Sequence, residues 1–251
     1  MMDTEKSLVY GPLWTRRFGW DLGINLLPFD GKLCTFDCIY CQYGFTALSS
    51  NKHYLFPNSL QVILEWSEQL DACATKGIAV QHTTFSGNGE PTMHPYFAKL
   101  ARQIARWRDE NAPLVKLALL TNGYRLHDPR IREALNYFDE PIIKFDSGSP
   151  KKIFTINRPR FNWDPVTFVE DLKKCPNIIL QTMFLKGWND SPSDLRKWRN
   201  ALEEIQPREV QIYTLERAPA FPHLRKLKEE KLFQIAEETS QLTGIPVEPF
   251  I

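Results

Sequence analysis

Short apolar runs along the chain alternate with longer segments whose apolar residues recur every three or four positions. Leu8-Val9-Tyr10 is short and extended, and Gly11-Pro12 after it reads as a turn. Ile24–Leu27 reads as a buried strand stopped by Pro28. Asn58 or Ser59 caps a helix to about Lys76, with apolar residues at Leu60, Ile63, Leu64 and Leu70 and Gly77 as its stop. Ala79–Phe85 has strand character, and Tyr96–Arg108 carries a helical stripe of Phe97, Leu100, Ala101, Ile104 and Trp107. The alternation continues with a strand over Leu114–Leu120, a helix opened by Asp128-Pro129, and a strand over Pro141–Phe145. Next come a helix from Asp164-Pro165 through Lys174 and a strand over Ile178–Leu185. Ser191-Pro192 with Asp194 opens a helix through Ile205, Glu209–Leu215 is a strand, and a last helix spans Leu227–Leu242 before Gly244-Ile245-Pro246.

Six strands, each followed by a helix, predict an α/β fold with parallel strands. No Gly-x-Gly-x-x-Gly opens a helix after the first strand, which argues against a dinucleotide-binding sheet. Six units fall short of a closed eight-fold barrel. The expectation is a partial (β/α)6 TIM-like barrel, open along one side. With no low-complexity linker, the reading is a single domain over 1–251, with an N-terminal extension at 1–23 and the partial barrel at 24–251.

The formal charge of +1 gives no electrostatic footprint for long nucleic acid or an anionic membrane. No apolar run approaches the length of a membrane span. Met1 to Ser7 is polar and lacks a secretion-signal pattern, so the expected location is the cytoplasm. Of the five cysteines three are clustered, which suits metal binding in a reducing compartment better than a disulfide framework.

That cluster is Cys34-Thr35-Phe36-Asp37-Cys38-Ile39-Tyr40-Cys41. Three thiolates can hold zinc or an iron–sulfur cluster and leave one metal position open. One reading is a structural zinc knuckle completed by His53 or another residue; zinc sites, however, normally use paired Cys-x-x-Cys units and close all four positions. The cysteines, Gly87–Glu90, Asn122, Asp146 and Leu215–Arg217 all fall at or just beyond expected strand C-terminal ends, the rim where parallel α/β folds build sites. Cys73 and Cys175 read as buried thiols, and His82, His94, His127 and His223 have no ligand spacing.

The Cys-x-x-x-Cys-x-x-Cys spacing, with aromatic Tyr40 before the third cysteine, resembles the signature of the radical SAM superfamily. Tyr10-Gly11-Pro12, Arg16-Arg17, Gly23–Pro28 and Ile156-Asn157-Arg158-Pro159 are similar to one branch of it, described as Fe–S oxidoreductases and related to wybutosine-synthesising tRNA enzymes. The resemblance implies one 4Fe–4S cluster on Cys34, Cys38 and Cys41. Its open iron takes the amino and carboxylate groups of S-adenosylmethionine (SAM). It further implies reductive cleavage of SAM to a 5′-deoxyadenosyl radical that abstracts hydrogen from a substrate, with no catalytic side chain beyond the cluster cysteines.

By the same resemblance Gly87, Asn88, Gly89 and Glu90 receive the methionine amino group, Asn88 standing where a second glycine is usual. Tyr40 offers backbone contact to adenine, and Leu215 packs against it. Asn122 joins the cofactor-binding set. Asp146, Gln181 and Asn189 match positions that contact ribose or carboxylate, and Arg158 pairs with the cofactor carboxylate. A low-potential donor, flavodoxin or ferredoxin, is implied as partner. tRNA is a second candidate partner, through Lys151, Lys152, Arg158 and Arg160, disfavoured by the neutral total charge. Trp14 and Trp20 are expected to line the mouth, and the segment with Arg16 and Arg17 to help close it.

Overall fold

A computed structural model describes residues 7–46 and 54–251. The His53 ligand and the polar start before Ser7 lie outside the described residues. The elements are β1 (Val9–Thr15), β2 (Gly19–Asn25), α1 (Ser59–Thr75), β3 (His82–Ser86), α2 (Phe97–Asn111), β4 (Lys116–Thr121), α3 (Pro129–Ala134) and β5 (Glu140–Lys144). They continue with α4 (Pro150–Ile156), α5 (Pro165–Lys173), β6 (Ile179–Met183), α6 (Pro192–Ile205), β7 (Glu209–Tyr213), α7 (Glu229–Thr243) and β8 (Val247–Phe250). Strand order in the sheet follows chain order from β1 to β8. The six expected strand–helix units are β2 to β7 with the helices that follow each.

The chain forms two compact units. One comprises the chain through Cys34, the segment up to Thr121 that carries α1 and α2, and Asp128–Pro141. Here β1 runs antiparallel to β2, and β2, β3 and β4 are parallel, with Asp21 opposite His82 and His82 opposite Lys116. Asn58 caps α1 with a reciprocal bond to Gln61. The buried Trp66 of α1 donates from Nε1 to Thr83 Oγ1 on β3 at 3.0 Å. The second unit comprises Thr35–Thr46, Asn122–His127 and Ile142–Ile251. In it β5 to β8 run parallel. Asp164 and Ser191 cap α5 and α6, each with proline in the first turn. Trp198 of α6 donates to Thr182 on β6 at 3.1 Å, the same solution as Trp66: a large apolar ring is buried while its one N–H is satisfied.

Four expectations are corrected. In α1 Leu60 and Leu64 are exposed, and the buried residues are Val62, Trp66 and Cys73. Gly11-Pro12 makes no turn; it sits inside β1 as a break in register between Tyr10 and Leu13. The turn falls at Arg16–Phe18, beside the start of β2. It places Trp14 and Trp20, edge to face at 5.6 Å, at the opposite end of β2 from Asn25 and the cysteine loop. Trp14 and Trp20 therefore do not line the mouth, and Arg16 and Arg17 do not close it. Helix α4 and strand β8 carried no expectation. Ser149-Pro150 is the start signal for the first, and Val247–Phe250, with Pro249 on an edge strand, pairs with β7. Cys73 and Cys175 are buried thiols, as expected.

Asp21 is a buried carboxylate on β2, accepting from Thr84 Oγ1 at 2.9 Å through each oxygen. Burial raises its pKa from 3.8 to about 6, against the lowering effect of the Thr84 bonds. Between those values the folded chain holds more protons than the unfolded chain, so stability falls as pH rises through the window. The decrement expected from Asp21 is at most about 3 kcal/mol. Chemical denaturation from pH 4 to 6.5 should show this fall in the wild type and lose it in Asp21→Asn.

Candidate metal centre and cofactor site

The loop that carries Cys38 and Cys41 is fixed at almost every intervening residue. Thr35 exchanges side-chain bonds with Asn122, 2.9 Å for Asn122 Nδ2 to Thr35 Oγ1. The ring of Phe36 meets Tyr124 and Trp163 edge to face. Asp37 N–H donates to the Arg158 carbonyl at 3.1 Å and Ile39 N–H to the Ile156 carbonyl at 2.9 Å. Two alternate backbone bonds of this kind make a short antiparallel ladder, which sets Cys38 opposite Asn157. Ile39 also packs into an apolar cluster with Ile156, Met183, Leu185 and Leu215. Cys41 N–H bonds the Cys38 carbonyl at 3.0 Å, so these two thiols share one turn, and the Cys41 carbonyl accepts from Ala220 at 3.1 Å.

Beneath this ladder lies Asp146, whose side chain is wholly buried. One oxygen accepts from Met183 N–H at 2.7 Å and lies 3.0 Å from Lys144 Nζ. The other accepts from the Tyr40 hydroxyl and from Asn157 Nδ2, the latter at 2.5 Å. Lys144 also donates to Tyr213 Oη at 3.0 Å and lies over the Tyr40 and Tyr213 rings. Burial works against the Lys144 ammonium, but Asp146 and Tyr213 outweigh it and hold its pKa above the usual lysine value. Burial, then the Asp146 charge, pushes the Tyr40 phenol well above its usual range. Enclosure of its sulfur, then the same carboxylate, pushes the Cys38 thiol up to about 11, against bonds from Asn157 and Tyr40.

Cys34 begins the loop in the other unit, beside the glycine-rich turn. Leu33 N–H donates to the Asn88 carbonyl at 3.2 Å, and Glu90 N–H to the Leu33 carbonyl at 2.9 Å. A Cβ on Gly89 would stand 1.8 Å from that Leu33 carbonyl oxygen, so only glycine permits the approach. Gly87 has φ +136°, and a Cβ there would meet Asn25 Oδ1 at 2.3 Å. Asn88 keeps negative φ and uses its amide: Nδ2 donates to the Pro28 and Gly31 carbonyls at 2.7 and 2.8 Å, tying the turn to the loop start. Glu90 is buried, and one oxygen accepts from Thr92 N–H, Thr92 Oγ1 and Thr121 Oγ1 at 3.1, 2.6 and 2.5 Å.

The other expected site residues occupy distinct settings. Asn122 is the partner of Thr35 in the loop, and Leu215 packs on Ile39. Asp146 meets four protein donors at its two oxygens, which accounts for the acceptor sites a ribose would use. Asn189 is buried, donating to the Asp146 and Met183 carbonyls at 2.8 and 2.9 Å and accepting from Leu185 N–H at 2.8 Å. Gln181 is buried in mid-strand 3.4 Å from Gln211. Arg158 is exposed, has φ +49°, and lies 5.3 Å over the Phe45 ring. Lys144 and Asn157 were not singled out as site residues; the Ser149-Pro150 start signal and the Ile156–Pro159 stretch were the available cues for Asn157.

Among the described residues no three His, Cys, Asp or Glu side chains stand at metal-holding distances. The donor set fits an iron–sulfur cluster by its chemistry: three soft thiols in one loop, none in a disulfide.

A model of the family described as the radical SAM superfamily matches residues 30–199. The chain belongs to that superfamily. A UPF0026 protein of Helicobacter pylori (strain J99) is 28% identical over 241 residues, covering 93% of this chain and 74% of the relative. A UPF0026 protein of Methanocaldococcus jannaschii is 26% identical over 245 residues, covering 95% and 73%. Among solved structures, a radical SAM methyltransferase from Sphaerobacter thermophilus superposes with TM-score 0.71 at 14% identity, over 92% of this chain and 65% of that one. TYW1 with a lysine–pyruvate adduct bound follows with TM-score 0.62 at 16% identity, covering 88% and 73%. These likenesses identify the fold as the partial TIM-like barrel of the superfamily, in agreement with the strand–helix alternation. No helix among the described residues is long and apolar enough to cross a membrane.

Gly89→Ala should destabilise the chain by about 2 kcal/mol or more, since backbone at Leu33 must move. Urea denaturation measures this directly; a change under about 0.5 kcal/mol, the range of an ordinary surface substitution, would show that the approach is not tight.

Proposed function

We propose that the chain is a radical SAM enzyme of the Fe–S oxidoreductase type. Cys34, Cys38 and Cys41 hold one 4Fe–4S cluster, and SAM occupies the remaining iron position. When bound, the cluster would supply the one-electron reduction that cleaves SAM to methionine and a 5′-deoxyadenosyl radical for hydrogen abstraction from an organic substrate. The observation that most supports this is the fixed loop: its non-cysteine residues are bonded or packed, and none of its three cysteines is in a disulfide. A loop ordered before its ligand arrives spends no binding energy on ordering itself.

The chain's own groups take defined roles in this reading. Glu90, buried and held by Thr92 and Thr121, receives the ammonium of SAM. Gly87 and Gly89 keep the backbone clear of side chains where the cofactor's methionine end lies. Leu215, packed with Ile39 and Tyr40, forms an apolar wall for adenine. Asn122 and Asp146 act through the loop, by fixing Thr35 and Tyr40. A low-potential flavodoxin or ferredoxin supplies the electron. Two of the four basic residues expected to favour tRNA are engaged within the protein: Lys152 pairs with Asp194 at 3.4 Å and Arg160 with Asp37 at 3.5 Å. A tRNA substrate is therefore not favoured.

Anaerobically reconstituted protein should bind about four iron atoms, as expected for one cluster of this type. With dithionite and SAM it should release 5′-deoxyadenosine. Cys38→Ala should lose both properties. Glu90→Gln should keep its iron and weaken SAM binding about tenfold to a hundredfold, read by equilibrium titration. Iron uptake by the wild type without 5′-deoxyadenosine would overturn the enzymatic reading.

A further inference from the structure

We infer that Asn157 is a tuning residue for the cluster: its carboxamide donates a hydrogen bond to the sulfur of Cys38 and raises the reduction potential of the iron centre. This rests on the proposed function above, because it assigns Cys38 to the cluster. Asn157 Nδ2 lies 3.4 Å from Cys38 Sγ, 3.2 Å from Tyr40 Oη and 2.5 Å from Asp146 Oδ2. A carboxamide has two N–H protons. One is committed to the carboxylate, by far the shortest contact, and the other faces the sulfur and the phenol oxygen together. An amide nitrogen only donates, so toward it both Tyr40 and Cys38 accept.

The approach is set by the backbone. Asn157 closes α4, with its N–H on the Ile153 carbonyl at 2.8 Å, and its side chain is buried. Bonds from Asp37 to Arg158 and from Ile39 to Ile156 flank it on both sides. Cys38 and Asn157 are therefore opposed in the ladder whatever the side chains prefer, and Asp146 then turns the amide so that a proton points at sulfur. Hydrogen bonds to cluster sulfurs withdraw electron density from the thiolate, favour the reduced state and raise the potential.

The test is a spectroelectrochemical titration of reconstituted wild type and Asn157→Leu, which keeps similar volume without a donor. Each should hold about four irons. The variant should reduce at lower potential, by about 59 mV for a tenfold change in the reduced-to-oxidised ratio of a one-electron couple. Wild-type protein carrying 15N only in asparagine carboxamides should also show a 15N hyperfine coupling on the reduced cluster. That measurement decides the matter if Asn157→Leu fails to fold. An unshifted potential in an iron-loaded variant, or no 15N coupling in loaded wild type, overturns the inference and leaves the proposed function standing. Failure of the wild type to take up iron overturns both.

Discussion

The ion pair between Asp146 and Lys144 is the constraint on which the cysteine loop depends. A carboxylate with no solvent exposure is costly to bury, and this one is offset by an ammonium, a phenol, a carboxamide and a backbone N–H. Removing one partner of such a pair typically costs about 3–5 kcal/mol, because the other charge is left buried and alone. The arrangement is thus close to all-or-none. Each donor comes from a different segment: β5, the cysteine loop, the end of α4, and β6. Satisfying one carboxylate brings all four into a single register.

That register places soft thiols on a backbone that does not need to reorganise. Tyr40 lies between two cysteines, Asn157 opposes one of them, and Ile39 is packed under the turn. In the other unit the segment before Cys34 is held by different means. Gly89 lets the chain before Cys34 run as a bridge beside the glycine-rich turn, and Asn88 secures it to Pro28 and Gly31. Side-chain charge fixes one flank of the loop and backbone proximity fixes the other.

Much of this was legible in the chain itself. Helical and strand periods located β3 to β7 and six of the seven helices, because most elements bury one face and their period records that; in α1 the apolar pattern misled, since Leu60 and Leu64 are exposed, and the expected first strand meets β2 only at Ile24 and Asn25. The cysteine spacing named the metal chemistry for a similar local reason. The Asp146 network was not legible: Tyr40 and Asp146 lie 106 positions apart, and no local pattern pairs a lysine on one strand with a tyrosine on another. Trp14 and Trp20 were misplaced because Gly11-Pro12 reads as a turn, whereas the strand tolerates it as an irregularity and turns later at Arg16–Phe18. Asn88 looked like a departure from a glycine position, yet its backbone needs no glycine and its amide supplies two bonds a glycine would lack.

The most direct measurement of the central claim is amide hydrogen exchange of Asp146→Asn against wild type. If the buried carboxylate holds the loop, the amides of Asp37, Ile39 and Cys41 should lose protection together while the β2–β3–β4 ladder keeps its own. Unchanged protection at those three amides in a folded variant would contradict the account.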